Sequence, residues 1–556
     1  MSIRRLTLGF CILAISLGGI QAWTTRFDMN PDGIQYLDNA DAYRTGDFQH
    51  ALNSQWSPLY PWLIGAAINA FRSNLYQQFP LVHALNFLIY LLSLASFLFF
   101  VSALRKLVPD PQPPDADPRT TAFLLIAYSS FLYCSLHLTN LAQVTPDLLV
   151  SFFSFLTAGL LIQMTLGLAA ASRYAALGIV LGLGYLAKTP FFLYALLCLV
   201  ILFALASRRI PALRRAALAA AVFFAIAAPY IWILSSAKGR LTFGDSGKFN
   251  VIWMVNGVPY YHWQGGPPAN GRPIHPTRQL ATEPAIFEFA TPIVATYPPW
   301  YDPIYWSEGA RIAYRPADFA RALVRQLRFY GYLLNHRQLP LVFAILTLLL
   351  LAPNKRRLPK QLAPFWPVLL FGLAPFAMYA PVNAEARYLA PFFILLWTTL
   401  AMALLKGAAN IDARVLLTIA TTAAVLMLVE SIAAAVPTSP IDSPQPAGVS
   451  VRLEYKIARE LENLGLRKGD RVAIVTSDVP YYWARLTGAR ISMQVSFSDG
   501  GVRQHEAEWL KAKSILASNR LAFVVSPAVA GVVDQPGWCQ LGTSGVFAYP
   551  LSPAAK

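Results

Sequence analysis

Long apolar runs, separated by short polar segments, set the rhythm of this 556-residue chain. A hydrocarbon core of about 30 Å needs ~20 apolar residues of helix. By that measure membrane helices are expected at 6–25, 80–104, 121–139, 147–168, 173–188, 190–207, 214–236, 339–353, 363–381, 388–405 and 412–435. That is eleven spans. The run 58–71 is shorter and suits a re-entrant or interfacial helix. Residues 6–23 follow Arg4 and Arg5 as a signal peptide would, but no small-residue cleavage site follows and many spans do. They read as a retained first helix. Beyond residue 435 the pattern changes. Four prolines between Pro437 and Pro446 mark a linker. After it, helical periodicity at 451–464 and 506–516 alternates with strand-like runs at 472–476 and 521–525.

The expected fold class is therefore mainly α: a polytopic transmembrane bundle with a long outer loop region and a small α/β C-terminal domain. Residues 1–435 form the membrane domain, including outer segments 26–57 and 237–338; 436–449 form the linker and 450–556 the outer α/β domain.

Composition agrees. Only 13% of residues are charged and 56% are hydrophobic, against about 25% charged in a soluble domain. A formal charge of +17 raises the question of nucleic acid, but the basic residues sit in short clusters between apolar runs. These are Arg4–Arg5, Arg105–Lys106, Arg173, Arg208–Arg209 with Arg214–Arg215, Lys355–Arg356–Arg357 with Lys360, and Lys406 with Arg414. With the N-terminus inside, eleven spans put every cluster on the cytoplasmic side, as the positive-inside rule asks. The outer side then holds 26–57, the turns at Thr145-Pro146-Asp147 and Lys188-Thr189-Pro190, the stretch 237–338, the turn 383–387, and the C-terminal domain. Cys11, Cys134 and Cys198 lie in apolar runs and Cys539 stands apart, which gives neither a disulfide framework nor zinc spacing.

Several ionisable residues fall on that outer side. Asp32, with Asp38, Asp41 and Asp47 downstream, reads either as part of a water-facing acidic loop or as a general base near a helix end. Asp147 follows Thr145-Pro146 and suits a helix N-terminus, with Thr145 as cap and Pro146 in the first turn. Lys188, between two apolar runs, reads as a snorkelling lysine or as a point charge for a phosphate. Glu385 and Arg387 read as an exposed local pair or as an arginine held ready for a phosphate.

The run Asn30-Pro31-Asp32-Gly33-Ile34-Gln35-Tyr36-Leu37, with Gly46-Asp47-Phe48 and Ser57-Pro58-Leu59-Tyr60-Pro61 after it, resembles the first outer loop of the C-type glycosyltransferases. The likeness is to the bacterial branch related to protein O-mannosyltransferases and aminoarabinose transferases, glycosyltransferase family 39. Thr145-Pro146-Asp147-Leu148-Leu149, Leu186-Ala187-Lys188-Thr189-Pro190 and Glu385-Ala386-Arg387-Tyr388-Leu389-Ala390-Pro391 resemble later landmarks of that group, in the same order, over residues 1–405. The resemblance implies an enzyme of the bacterial inner membrane that moves a sugar from a polyprenyl-phosphate carrier to a lipid, glycan or protein acceptor on the periplasmic face. It implies Asp32 as general base, Asp147 as a second acidic residue shaping the site, Lys188 and Arg387 on the carrier phosphate, and Glu385 orienting Arg387 or the sugar. Gly33 departs from the pattern: many relatives carry Asp-Glu there, so a two-carboxylate arrangement and a bound metal at that point are in question.

The stretch 237–338 is too long for a connector. Its aromatic groups, Tyr260–Trp263 and Tyr297–Trp306, read either as interfacial anchors or as an acceptor or sugar platform. In the second reading His262, Trp263, Trp300, Tyr301 and Asp302 line it, with Glu308 nearby. His262 and His275 lack metal-ligand spacing, so no cofactor is assigned and a divalent metal has no support from spacing. Residues 319–335 form an amphipathic pattern, with Arg321, Arg325 and Arg328 opposite Leu323, Leu327 and Tyr330, and suit the membrane surface. A transporter or flippase of lipid-linked saccharide should show repeats and mid-membrane charges, and the chain has no repeat. A non-catalytic partner in envelope polysaccharide assembly is the third reading.

Overall fold

The structure, a computed structural model of the chain, describes residues 2–107, 117–167, 170–206, 210–258, 278–289, 295–297, 309–352, 356, 358–407, 411–436, 451–475, 481–498 and 501–551. Helices form at each of the eleven expected places. Among the described residues eight are long and apolar enough to cross a membrane: Ile3–Thr24, Leu75–Lys106, Pro118–Thr139, Asp147–Thr165, Ile210–Lys238, Leu358–Tyr379, Ala386–Lys406 and Ala413–Ala435. Leu339–Leu351 supplies a ninth only when joined to Pro316–Arg337 across an 86° bend. Ala171–Ala187 and Phe191–Ala206, with 17 and 16 residues, fall short. Eleven full spans are thus not established by length and composition. The shortening has a local cause. Lys188 adopts an extended backbone (φ −156°, ψ 127°), which ends the Ala171–Ala187 helix and breaks the apolar stretch in two.

Aromatic side chains fill the bundle interior. Phe10 stacks on Tyr128 at 4.0 Å between ring centroids, and Phe97 on Phe131 at 4.7 Å. Where the Ala171–Ala187 helix meets Ile210–Lys238, a Cβ on Gly178 would stand 2.5 Å from the Ala219 carbonyl oxygen. Small residues let membrane helices approach this closely. Buried Gln21 donates to the Leu136 and Ala434 carbonyls (2.9 and 2.7 Å) and accepts the Leu141 N–H (3.0 Å). It thereby satisfies backbone groups where the Pro118–Thr139 helix ends, in a setting without water to do so. The 58–71 run forms a 13-residue helix, Leu59–Phe71, too short to span.

The C-terminal region is α/β, with a seven-stranded sheet in the order β1-β2-β4-β3-β5-β7-β6. The strands are β1 (Arg278–Thr282), β2 (Ala285–Glu288), β3 (Arg471–Val475), β4 (Arg490–Ser496), β5 (Phe523–Pro527), β6 (Cys539–Gln540) and β7 (Val546–Pro550). β3, β4 and β5 are parallel; every other pairing is antiparallel. The first two strands come from the stretch 237–338, so the sheet joins segments about two hundred residues apart in sequence. Along β3, Val472 and Ile474 face one core while Ala473 and Val475 face the other, as expected of a strand buried on both sides. Helix Val502–Ser518 covers one face through Trp509, Ala512 and Leu516. On the other, helix Val451–Asn463 brings Ile457, Ala458 and Leu461 into a core continuous with the membrane bundle. Tyr455 seals that junction: its ring meets Phe27 edge-on at 5.3 Å, and its hydroxyl donates to the Tyr76 carbonyl at 3.0 Å.

Glu454, on the same helix, is buried. One oxygen accepts the Trp483 N–H at 2.7 Å, and Oε1 has no partner among the described residues. Burial pushes its pKa up to about 8. Since the folded value exceeds the unfolded one, stability from this group is full below the unfolded value near 4.5 and is lost as pH rises towards 8. The loss is expected at up to about 1.4 kcal/mol per pH unit. Thermal unfolding of the purified protein across that range should show the decline, and Glu454→Gln should flatten it.

Candidate functional site

Helix Pro31–Thr45 opens the site, and its placement follows from its ends. Pro31 stands in the first turn, where its missing N–H costs nothing. Asn30 makes no cap to its own helix; its Oδ1 accepts the Val144 N–H at 2.8 Å. That bond ties the helix start to Thr145-Pro146-Asp147. Gly46 (φ 76°) ends the helix in the left-handed conformation. At Gly33 chain and neighbour approach closely: an added Cβ would stand 2.8 Å from Val144 Cβ and overlap Met29 Sδ. The departure from Asp-Glu therefore has a packing reason. A side chain there would have to displace both Met29 and Val144.

Asp147 begins the helix Asp147–Thr165 after Pro146. Thr145 does not cap that helix through its side chain. Its hydroxyl donates instead to Asp147 Oδ2 at 2.9 Å. Lys188 Nζ forms a short ion pair with Asp147 Oδ1, and Arg387 Nη1 reaches Asp147 Oδ2 at 3.4 Å. Arg387 also holds Glu385 Oε2 through Nε at 2.6 Å and Asp32 Oδ2 through Nη2 at 3.4 Å. The structure thus brings Asp32, Asp147, Lys188, Glu385 and Arg387 into one cluster of three carboxylates and two cations, although the sequence spreads them over 355 positions.

Tyr388 completes the cluster. Its hydroxyl donates to Glu385 Oε1 at 2.9 Å, and its ring lies 4.0 Å from Lys188 Nζ, within cation–π range. It belonged to a motif noted in the sequence without a role; nothing in sequence spacing marks a tyrosine as a shelf for a lysine two hundred residues away.

Exposure divides the carboxylates. Asp147 keeps 2% of its side-chain surface, whereas Asp32 keeps 32% and Glu385 41%. Asp147 is an anchor with both oxygens engaged. Asp32 is open to an incoming group. Protein crowding raises the Asp32 pKa above the usual carboxylate value, with the Arg387 guanidinium pulling against that rise. At Glu385 burial pushes the same way, but Arg387 prevails and the pKa is lowered.

Gln35 and Asn39, three and seven residues after Asp32, were not singled out by the sequence. Both are buried to 1% exposure, and all four of their side-chain amide atoms lack partners among the described residues. Buried polar atoms seldom remain so. His262, Trp263, Trp300, Tyr301 and Asp302, and with them His275 and Glu308, lie outside the described residues. Among the described residues no group of three His, Cys, Asp or Glu side chains could hold a metal.

Among solved structures, the chain is similar over 98% of its length, and 98% of the other chain, to ArnT from Cupriavidus metallidurans in the apo state, with a TM-score of 0.55 and 12% identity. It also aligns with the Archaeoglobus fulgidus oligosaccharyltransferase complexed with Zn and sulfate, at a TM-score of 0.48 and 13% identity over 93% of this chain and 68% of that one. No family model and no curated protein matches the chain. The first likeness gives the fold alone: a mainly helical, multi-pass membrane bundle with a small sheet region, shared with ArnT.

The cluster's asymmetry makes a stability prediction. Asp147→Ala leaves two largely buried cations short of their main partner and should cost about 3–5 kcal/mol, while Asp32→Asn, at a more open carboxyl, should leave the melting temperature nearly unchanged. Gly33→Glu should lower it by overpacking against Met29 and Val144. Thermal melts of the three purified variants check all of these.

Proposed function

We propose that this protein is a membrane glycosyltransferase that moves a sugar from a polyprenyl-phosphate carrier to an acceptor on the outer, periplasmic face of a bacterial cytoplasmic membrane. The single observation that carries the reading is the convergence of Lys188 and Arg387 beside an open carboxylate, Asp32, at the ends of apolar helices. A lipid-phosphate donor stays in the bilayer, so its reacting carbon lies at the interface. The fold shared with ArnT and the ordered motifs support the same reading.

In this mechanism the donor phosphate enters next to Arg387 and Lys188. Arg387 holds Asp32 at 3.4 Å and Glu385 at 2.6 Å, so the looser Asp32 contact yields first to the phosphate. Asp32 is then a free base facing the acceptor. It takes the proton from the acceptor hydroxyl or amine as that atom bonds to the anomeric carbon. The carbon–oxygen bond to phosphate breaks on the opposite side, with inversion. Polyprenyl phosphate departs with its new charge held by Lys188 and Arg387, the positioned electrostatic stabilisation such a step needs. Asp147 keeps both cations in place. Gln35 and Asn39 follow Asp32 by one and two turns, and hydroxyl groups of the transferred sugar or of the acceptor satisfy their amides.

The test supplies undecaprenyl phosphate carrying radiolabelled hexoses or pentoses to purified protein, with a whole-envelope extract as acceptor, and looks for labelled product. Asp32→Asn should abolish transfer with insertion intact; normal transfer by that variant removes Asp32 as the base. The rate should fall on the acid side through a pKa above the ordinary carboxylate value, because Asp32 acts only when ionised and its pKa is raised. A profile flat down to the ordinary range would contradict this. Asn39→Ala should lower kcat/KM by roughly tenfold or more, the scale of one or two lost hydrogen bonds, and should change the ranking of the labelled sugars or acceptors.

A further inference from the structure

Arg485 lies in the short helix Tyr482–Thr487 of the C-terminal α/β region, yet its guanidinium ends inside the membrane domain's first outer loop. Nη1 pairs with Asp38 Oδ1 at 2.9 Å, and Nη2 with Asp41 Oδ2 at 2.7 Å. Nη2 also donates to Gln78 Oε1 at 2.6 Å, at the start of the Gln78–Lys106 helix. Only 6% of the Arg485 side chain is exposed, and 5% of Asp38. Asp38 carries a second set of bonds: Thr296 of the long outer stretch donates its N–H to Oδ2 (2.9 Å) and its hydroxyl to Oδ1 (2.8 Å). The Thr296 carbonyl accepts the Ile491 N–H of β4 at 2.9 Å. First loop, long outer stretch and C-terminal sheet therefore meet at one buried carboxylate.

That carboxylate sits on the helix that carries Asp32. Six residues separate them, about 9 Å along the axis and roughly 120° around it. Asp41 lies on the opposite face from Asp32, about 180° away by the same geometry. Arg485 grips the back of the helix whose front presents the open carboxylate. The near end is fixed by Asn30 to Val144 and the middle by the Tyr36 ring against Trp56 and Tyr60. In the far half Asp41 also pairs with Arg44 of the same helix at 3.3 Å, and Arg485 supplies the ion pairs that reach it from another element.

We propose that Arg485 is a positioning residue: by clasping Asp38 and Asp41 it fixes the rotation of the Pro31–Thr45 helix and so the place of Asp32, which makes the C-terminal region a working part of the transfer site. The proposal rests on Asp32 acting as the base. Its signature is a loss in the chemical step without a loss in donor binding, since no Arg485 atom contacts Lys188 or Arg387.

Arg485→Lys keeps the charge but replaces the planar fork that spans the two carboxylates and the amide with a single ammonium point. In the labelled undecaprenyl-phosphate-sugar assay, kcat should fall roughly tenfold or more, the scale of a sub-ångström to ångström misplacement. The donor KM should stay within about twofold, and the melting temperature should stay close to that of the parent. Asp41→Asn removes the more open arm and should show the same split in weaker form, which keeps the test alive if Arg485→Lys folds poorly. Unchanged kcat in both variants overturns the proposal, as does a loss carried by donor KM or, in both variants, one matched by a fall in folded fraction. Asp32→Asn run beside them separates the two ideas. If it transfers sugar normally, the base assignment fails; if it is inactive while Arg485→Lys and Asp41→Asn keep full kcat, only the positioning role fails.

Discussion

A carboxylate shut away from water must find positive charge, and much of the site's geometry follows from how Asp147 does so. Taking one ionised carboxyl out of water costs several kcal/mol unless paired and hydrogen-bonded. Asp147 has Lys188 and Thr145 on its two oxygens and Arg387 beyond them. To deliver Lys188, the apolar stretch from 171 to 206 breaks into two short helices. To deliver Arg387, a helix begins at Ala386. The breaks in the membrane helices are where the cations are needed.

The same pairing explains why charge gathers at span ends rather than mid-membrane. Arg387 is shared between the closed Asp147 and the more open Asp32 and Glu385, while Lys188 pairs with Asp147 alone and lies over the Tyr388 ring. An anchor of this kind holds positive charge in a fixed place while leaving one side of it exchangeable. That is the property a site for an anionic leaving group requires, because donors fixed in advance need not reorganise during the reaction.

The apolar runs made the bundle legible, because hydrophobic length is set by bilayer thickness and little else competes with it. The ordered motifs around Asp32, Asp147, Lys188 and Glu385–Arg387 named the cluster's members. Three things were not legible. The C-terminal sheet takes β1 and β2 from the outer stretch, a pairing set by register between distant segments that no local periodicity reveals. The helix Tyr482–Thr487 is short and fully buried, so no polar face gives the 3.6-residue pattern away, whereas strand β4, at seven residues with alternating polar and apolar positions, does carry a readable period of two. Asp38 and Asp41 read as members of an acidic loop, since their partner lies more than four hundred residues downstream.

Two buried ion clusters therefore act on one 15-residue helix. At its start, Asp32 meets Arg387 through a long, exchangeable contact and keeps about a third of its surface open. Further along, Asp38 is closed, bound by Arg485 and Thr296 together. Burial tends to raise the pKa of both carboxyls, yet the two differ in what they can do. A buried carboxylate held by three donors, as Asp38 is, serves as a fixed point, and one open to the outside can accept a proton. The helix carries the force of the first to the second, because its hydrogen-bonded backbone transmits rotation over the two turns between them. Closed and open acidic residues on one rigid element are what let a membrane site be both held firmly and left accessible.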